Sequence, residues 1–411
     1  MSKIKVLEIV NQLGLGGTEY ALQLFAKFLD KAQFDITVIS LINGGERLQQ
    51  LKNLDINVIV LYGDFSKLPE LLKEADVVHW HGGGSLESEL FQVLQKHKPR
   101  LVIQTNVFGL YEASPLYDLI DYDLFISKMI LVRRMELDKK LENNFAKKRK
   151  VLPYPIDIDN INKLLPTSQE VDHFKTMHNL HGHFIVGRIG RPDNQKFDLI
   201  TLDGFAKFAE DIKDAKFILA GATEEMIAHA DLLGIKDRLV IIQNTAELGT
   251  LLIYYKAMDV FLAASQIGES FGMVIAEAMT VGTPVVTIST PGKDNAQIEL
   301  MDNGKSGLVV KRSKTAIARA LKYLYRRPEI RILLSKNSKM KIANDYQAQK
   351  IVKSLEQLIL AHLNLPTDQY VEKSLLRDYS EEIVGEYEMR RNNLFRPFSL
   401  VHRMLFKLRN L

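Results

Sequence analysis

The chain has 411 residues, 46% hydrophobic and 25% charged, with a net charge of +4 and no cysteine. That length exceeds one ordinary core and suits two domains, and the composition excludes extensive disorder. The missing thiol excludes disulfides, thiolate metal sites and a cysteine nucleophile and fits a reducing, cytoplasmic setting, while so small a net charge gives no support to nucleic-acid binding.

The first apolar stretch follows two lysines and is broken by Glu8, so it reads as a β-strand and not as a leader or a membrane span. Short apolar runs bounded by turns then alternate with segments of helical period, which is the pattern of βαβ units and a parallel sheet. In the first half the expected strands are Ile4 to Val10, Asp35 to Ser40, Asn57 to Leu61, Val77 to Trp80, Leu101 to Gln104 and Leu124 to Ile126. Pro153, Pro155 and Pro166 mark a segment that excludes regular helix, and the inter-domain linker is placed there. A second series comprises Phe184 to Ile189, Lys216 to Ala220, Leu239 to Ile242, Val260 to Ala263 and Pro284 to Ile288. Thr315 to Leu363 is helical almost throughout, Pro366 ends it, and a tail follows. The fold class is α/β, with a first domain over 1–165, a second over 166–345, a helix over 346–365 crossing back to the first, and a basic amphipathic tail over 366–411.

Four positions carry chemistry. Gly14-Leu15-Gly16-Gly17 follows the first strand and opens a helix, where bare backbone and free amides suit phosphate or sugar oxygens. Its spacing departs from the dinucleotide fingerprint and disfavours NAD. His79-Trp80-His81-Gly82-Gly83-Gly84 ends the fourth strand at the carboxyl edge of the sheet; His81 is the ligand candidate and His79, placed on the alternate face, is read as structural. Gly187-Arg188 leads to Lys196, and these two cations suit a diphosphate. Glu269 and Glu277, eight positions apart, are read as sharing one helix face, one at the N-terminal start beside the amides of Phe271 and Gly272 and one inside.

Taken in order, Gly16-Gly17, His81, Gly187-Arg188 with Lys196, Glu269-x7-Glu277 and Gly282-Thr283-Pro284 resemble the retaining glycosyltransferases of family four. The resemblance implies the GT-B fold, two Rossmann-like doubly wound domains facing a central cleft. It also implies that Glu277 holds the donor ribose, Glu269 the hydroxyls of the transferred sugar, Arg188 and Lys196 the diphosphate, and His81 a sugar hydroxyl near the reacting carbon. Gly17, Phe271 and Gly272 add backbone contacts. It further implies a donor of UDP-sugar or GDP-sugar type, no metal ion, no cofactor and no protein nucleophile. The loop Gly-Arg-Ile-Gly-Arg-Pro-Asp-Asn-Gln-Lys-Phe is longer than the family's common form, and Pro153-Tyr154-Pro155 replaces its usual linker turn.

The acceptor is open. Residues 128–150 hold nine basic residues against three acids, and 390–411 hold six against none, both interleaved with apolar residues. That composition fits a contact with an anionic membrane surface at the inner face of the cell membrane, and hence a lipid-linked or cell-surface polysaccharide precursor as acceptor. A docked helix is the equal alternative for the tail. A soluble acceptor, a catalytically silent GT-B subunit supporting a partner transferase, and a GT-B sugar-nucleotide epimerase are the rival functions; the paired glutamates favour transfer.

Overall fold

A computed structural model describes residues 2–138, 145, 147–245, 247–289, 293–367 and 374–395. Its strands are β1 (Ile4–Gln12), β2 (Phe34–Asn43), β3 (Asn57–Val60), β4 (Val77–Gly82), β5 (Leu101–Asn106), β6 (Tyr122–Phe125) and β7 (Arg149–Val151), then β8 (Phe184–Ile189), β9 (Ala215–Ala220), β10 (Leu239–Ile242), β11 (Val260–Ala263), β12 (Gly268–Glu269), β13 (Val285–Ser289), β14 (Asp294–Asn295), β15 (Leu308–Lys311) and β16 (Arg377–Asp378).

Two main sheets result. The first has the order β16-β7-β6-β5-β4-β1-β2-β3, the second β10-β9-β8-β11-β13-β15, and β12 pairs with β14 in a two-stranded ribbon. All pairings are parallel except β16 against β7. Both sheets are doubly wound, with order reversing between β1 and β4 and between β8 and β11. Strands covered on both faces are mostly apolar, and all six residues of β5 and of β8 are buried, the polar ones lying toward the carboxyl ends.

Alternation along β1 sorts its side chains. Val6 and Val10 enter one core with Val77, Phe25 and Ile275, whereas Leu7 and Ile9 enter another with Trp80 and Leu90. The first of these cores is continuous across both halves and includes Ile185, Met279, Ile351 and Leu355. The chain crosses between the halves twice, and the crossings lie side by side: Ile156 N donates to Tyr346 O at 2.8 Å and Ala348 N to Ile156 O at 2.9 Å. The helix Ala348–His362 packs on the helix Gly17–Phe28, with Asp30 N donating to Glu356 at 2.7 Å.

Three expectations need correction. The proline-marked segment contains the helix Ile158–Lys163, because residues 156–165 lack proline and the Asp157 carboxylate caps Asn160 N. The first sheet has more strands than its apolar runs suggested, since β7 and β16 are short and charged. The basic segment 128–150 is also not a free cationic face. Ile130, Leu131, Val132 and Met135 are buried core. Lys128 pairs with Glu386, Lys150 with Asp378, Arg133 with Asp294 at 2.6 Å, Arg134 with Asp138 at 2.5 Å, and Lys148 donates to Tyr117 O at 3.3 Å. Lys139 and Lys140 lie outside the described residues. The tail divides likewise: the helix Glu381–Phe395 opens with Glu381 and Glu382 and docks on the helix Lys128–Leu137, with Arg390 paired to Asp302 at 2.7 Å, while 396–411 lies outside the described residues.

Arg149 is the largest fully buried charge of the first domain. It donates to Asp138 at 2.7 Å and to the Tyr117 hydroxyl at 3.1 Å, stacks 4.4 Å from the Phe145 ring, and lies 4.0 Å from buried Asp123. Arg149→Ala takes one cation from two buried carboxylates, leaving Asp138 with Arg134 alone and Asp123 with the neutral donors Gln104, Asn106 and Tyr117. Chemical denaturation is expected to show a loss of about 3 kcal/mol in unfolding free energy, and a loss within experimental error would refute this account of the network.

Candidate functional site

In open doubly wound sheets, ligands bind outside the carboxyl ends of the strands where the order reverses, because neighbouring crossovers leave to opposite faces there and open a crevice. The segments after β1, β4, β8 and β11 are the ones that carry the predicted residues. The two halves meet at this level: a Cβ on Gly17 would lie 3.2 Å from Cγ of Met273, so glycine permits the approach. The Phe271 ring packs between Tyr154 and Tyr346, each 5.5 Å away, and is buried.

On the second domain, Arg188 ends β8 with 5% of its surface exposed. Its guanidinium lies 4.3 Å over the Phe197 ring and against Gly190, where a Cβ would approach Nη1 to 2.8 Å. Nη1 is buried and has no hydrogen-bond partner. Burial lowers its pKa to about 10, and the carboxylates of Glu269 and Asp193 oppose the shift. Lys196 Nζ lies 3.3 Å from Glu269, so Arg188, Lys196 and Glu269 converge on one niche.

Glu269 is not on the helix with Glu277. It belongs to β12, where Ala296 N donates to its carbonyl at 2.8 Å, and the helix starts only at Met273. Gly272 is the N-cap at φ +101°, and no side chain caps the helix, which leaves first-turn amides for a ligand. Glu277 is buried within it and accepts from the Tyr255 hydroxyl at 2.9 Å. Burial pushes its carboxyl up to about 7 against the opposing effects of Tyr255 and of Arg47 from the first domain.

On the first domain, the Glu19 carboxylate fills the space beside Gly16 at the start of the helix Gly17–Phe28. His79 and His81 are two residues apart on a strand and therefore share a face, which corrects the assignment of His79 to the other side. Both rings reach Glu8 on β1: His79 Nδ1 at 3.2 Å from Oε1 and His81 Nε2 at 2.6 Å from Oε2. Burial would raise the Glu8 carboxyl, but the two imidazoles outweigh it and hold it near 2, so it is ionised. Burial, helped by His79, lowers His81 to about 4 against the pull of Glu8, so that ring is neutral. Among the described residues these three form the one histidine and carboxylate group tight enough to enclose an ion, but their separations are those of hydrogen bonds.

Sequence reasoning missed Glu8, whose signal was an acid between Val6 and Val10 on a core-facing strand position. It also missed Tyr255, Arg47 and Asp294, which carry no local pattern. Arg47 is buried over the Tyr20 ring at 4.5 Å and donates to Gln23 at 3.1 Å. Asp294 accepts from Arg133 across the cleft and from Ser270, both at 2.6 Å.

The family model for Glycosyl transferases group 1 matches residues 177–341, a span that contains Arg188, Lys196, Glu269 and Glu277. The chain is similar to phosphatidyl-myo-inositol mannosyltransferase of Mycobacterium leprae, 27% identical over 172 residues, covering 41% of this chain and 45% of the relative. It thus spans less than half the length of that relative. Mannosylfructose-phosphate synthase of Agrobacterium fabrum is 24% identical over 326 residues, covering 69% and 70%. In fold, the chain resembles Anabaena HepE in complex with UDP-glucose, with TM-score 0.70 at 18% identity over 88% of this chain and 99% of the other. The architecture is GT-B.

The raised Glu277 carboxyl has a consequence for stability. The native state keeps this proton up to about pH 7 while the unfolded chain loses it near 4.5, so stability falls as pH rises through that window. Glu277→Gln removes the contribution. Between about pH 5 and about pH 7.5 the melting temperature of the variant is expected to fall less than that of the wild type, and parallel falls would contradict the burial of this acid.

Proposed function

We propose that the chain is a retaining, metal-independent glycosyltransferase that moves a hexosyl group from a UDP-sugar or GDP-sugar to an acceptor hydroxyl. The carrying observation is the buried Arg188 guanidinium with an unpartnered Nη1, set beside Lys196 and Glu269 at the end of β8. A diphosphate placed there accepts from Arg188 and takes Lys196 as a second cation, and these two charges stabilise the negative charge that develops on the leaving nucleotide. Amides of the uncapped helix at Met273 add to them.

In the proposed reaction the bond from the anomeric carbon to the β-phosphate oxygen breaks and the acceptor oxygen bonds that carbon on the same face. The acceptor proton passes to the departing phosphate. Glu277, fixed by Tyr255, accepts from the ribose hydroxyls; Glu269 exchanges its lysine for sugar hydroxyls; and His81 contacts a hydroxyl near the reacting carbon. The similarity to a complex with UDP-glucose supports a uridine donor.

The acceptor proposed first is a lipid-linked or cell-surface polysaccharide precursor, supported by the likeness to a phosphatidyl-inositol mannosyltransferase. A soluble sugar acceptor is favoured by a separate observation: the described basic residues of 128–150 are largely paired within the protein, and the apolar residues between them are mostly core. Flotation with anionic vesicles separates the two, since binding supports the first and its absence the second.

A panel of nucleotide sugars screened for thermal stabilisation, followed by donor hydrolysis with and without chelator, tests the function. One donor is expected to stabilise the protein and to be hydrolysed equally in the presence of chelator. Glu277→Ala is expected to weaken its binding about tenfold, the scale of one or two lost hydrogen bonds, and His81→Ala to slow turnover more than it weakens binding. No response to any donor would move the weight to a silent GT-B subunit.

A further inference from the structure

Glu8 has no place in the reaction as proposed, yet it occupies a costly position. It is fully buried on β1 between Val6 and Val10, where an apolar residue would pack without loss. Its partners are the two histidines of β4, and hydrogen-bond accounting separates them. An ionised carboxylate only accepts, so each nitrogen facing Glu8 must carry the proton. His79 donates from Nδ1, and its Nε2 lies 2.8 Å from the Thr105 hydroxyl, which can either donate to it or accept from it. Both sides of that ring are satisfied. His81 donates from Nε2 at 2.6 Å, and its Nδ1 is buried and has no partner.

We propose that Glu8 is a positioning residue, holding the His81 imidazole in the Nε2–H tautomer so that Nδ1 is presented as a bare acceptor for a substrate hydroxyl. His81 is then not a proton donor to the sugar, and the hydroxyl it meets must donate. The orphaned nitrogen is the observation that points to a ligand, because a neutral buried ring whose second nitrogen lacks a partner is unsatisfied until a hydroxyl arrives. Phe25, 5.8 Å from the His81 ring, and His79, 4.1 Å away, leave the ring little freedom to turn over.

The assignment to a substrate hydroxyl rests on the proposed function; the tautomer does not. Long-range ¹⁵N–¹H correlation of the ¹⁵N-histidine-labelled protein, with the His81 signals identified by their loss in His81→Gln, reads the tautomer directly. The expected result is a protonated Nε2 and a bare Nδ1 in the wild type, and loss of that single form in Glu8→Gln. In turnover assays Glu8→Gln is expected to lower kcat at least about tenfold, the range seen when an orienting partner of a functional histidine is removed, with donor KM within about threefold. Thr105→Val, which cuts the far bond of His79 alone, is expected to keep kcat within about threefold. A protonated Nδ1 in the wild type, equal loss of kcat in both variants, or a stoichiometric zinc ion in the purified protein overturns the proposal. If neither wild type nor variants turn over any donor, the transferase reading fails and the spectrum still decides the tautomer.

Discussion

A guanidinium buried at the end of a parallel strand, with one nitrogen left without a protein partner, is the constraint around which the second domain is arranged. An unmet buried donor costs roughly 1–3 kcal/mol, more when charged, and Arg188 accepts that cost at a position where a leucine would serve the core. Phe197 shields one face of the group, Gly190 leaves room for it, and Glu269 and Asp193 supply the negative field that keeps it charged despite burial. Glu269 is in turn steadied by Lys196. Guanidinium, ammonium and carboxylate are thus held together in one niche by the protein alone.

The first domain contributes by position. Because both sheets reverse order at their centre, the loops after β1 and β4 flank the first domain's switch point, and the Gly17 to Met273 approach brings the first of them to the start of the second domain's apolar helix. The halves are held by polar contacts as well as by a continuous core. Glu299 accepts from Lys128 N and Met129 N at 3.0 and 2.6 Å, capping a helix of the opposite domain, and Arg133 grips Asp294 beside the ribbon that carries Glu269. Charge pairs of this kind tie the first domain to the second at the height of the candidate site.

The two-sheet architecture was legible because buried parallel strands read as apolar runs, and most predicted strands differ from the observed ones only at their ends. What escaped was written in charged residues: β7 and β16 are short and carry Arg149, Lys150 and Asp378, and the ribbon of β12 and β14 is too brief for any period to show. That Arg188 lies at the carboxyl end of a strand and Glu277 inside a helix was legible, because the apolar runs around them show where those elements lie. The helical relation assumed between Glu269 and Glu277 failed because spacing alone does not say where a helix begins. Glu8 was visible but was read as an interruption, and the basic segment was misread because composition does not reveal which charges find partners from distant parts of the chain.

The most direct measurement of the central claim is calorimetric titration of UDP and GDP into the wild type and Arg188→Ala, with magnesium and with chelator. The account predicts that one of the two nucleotides binds the wild type with unchanged affinity in chelator and that the variant loses at least about tenfold, as expected for a charged hydrogen bond to phosphate. Binding that needs magnesium, or that is indifferent to the loss of Arg188, would contradict it.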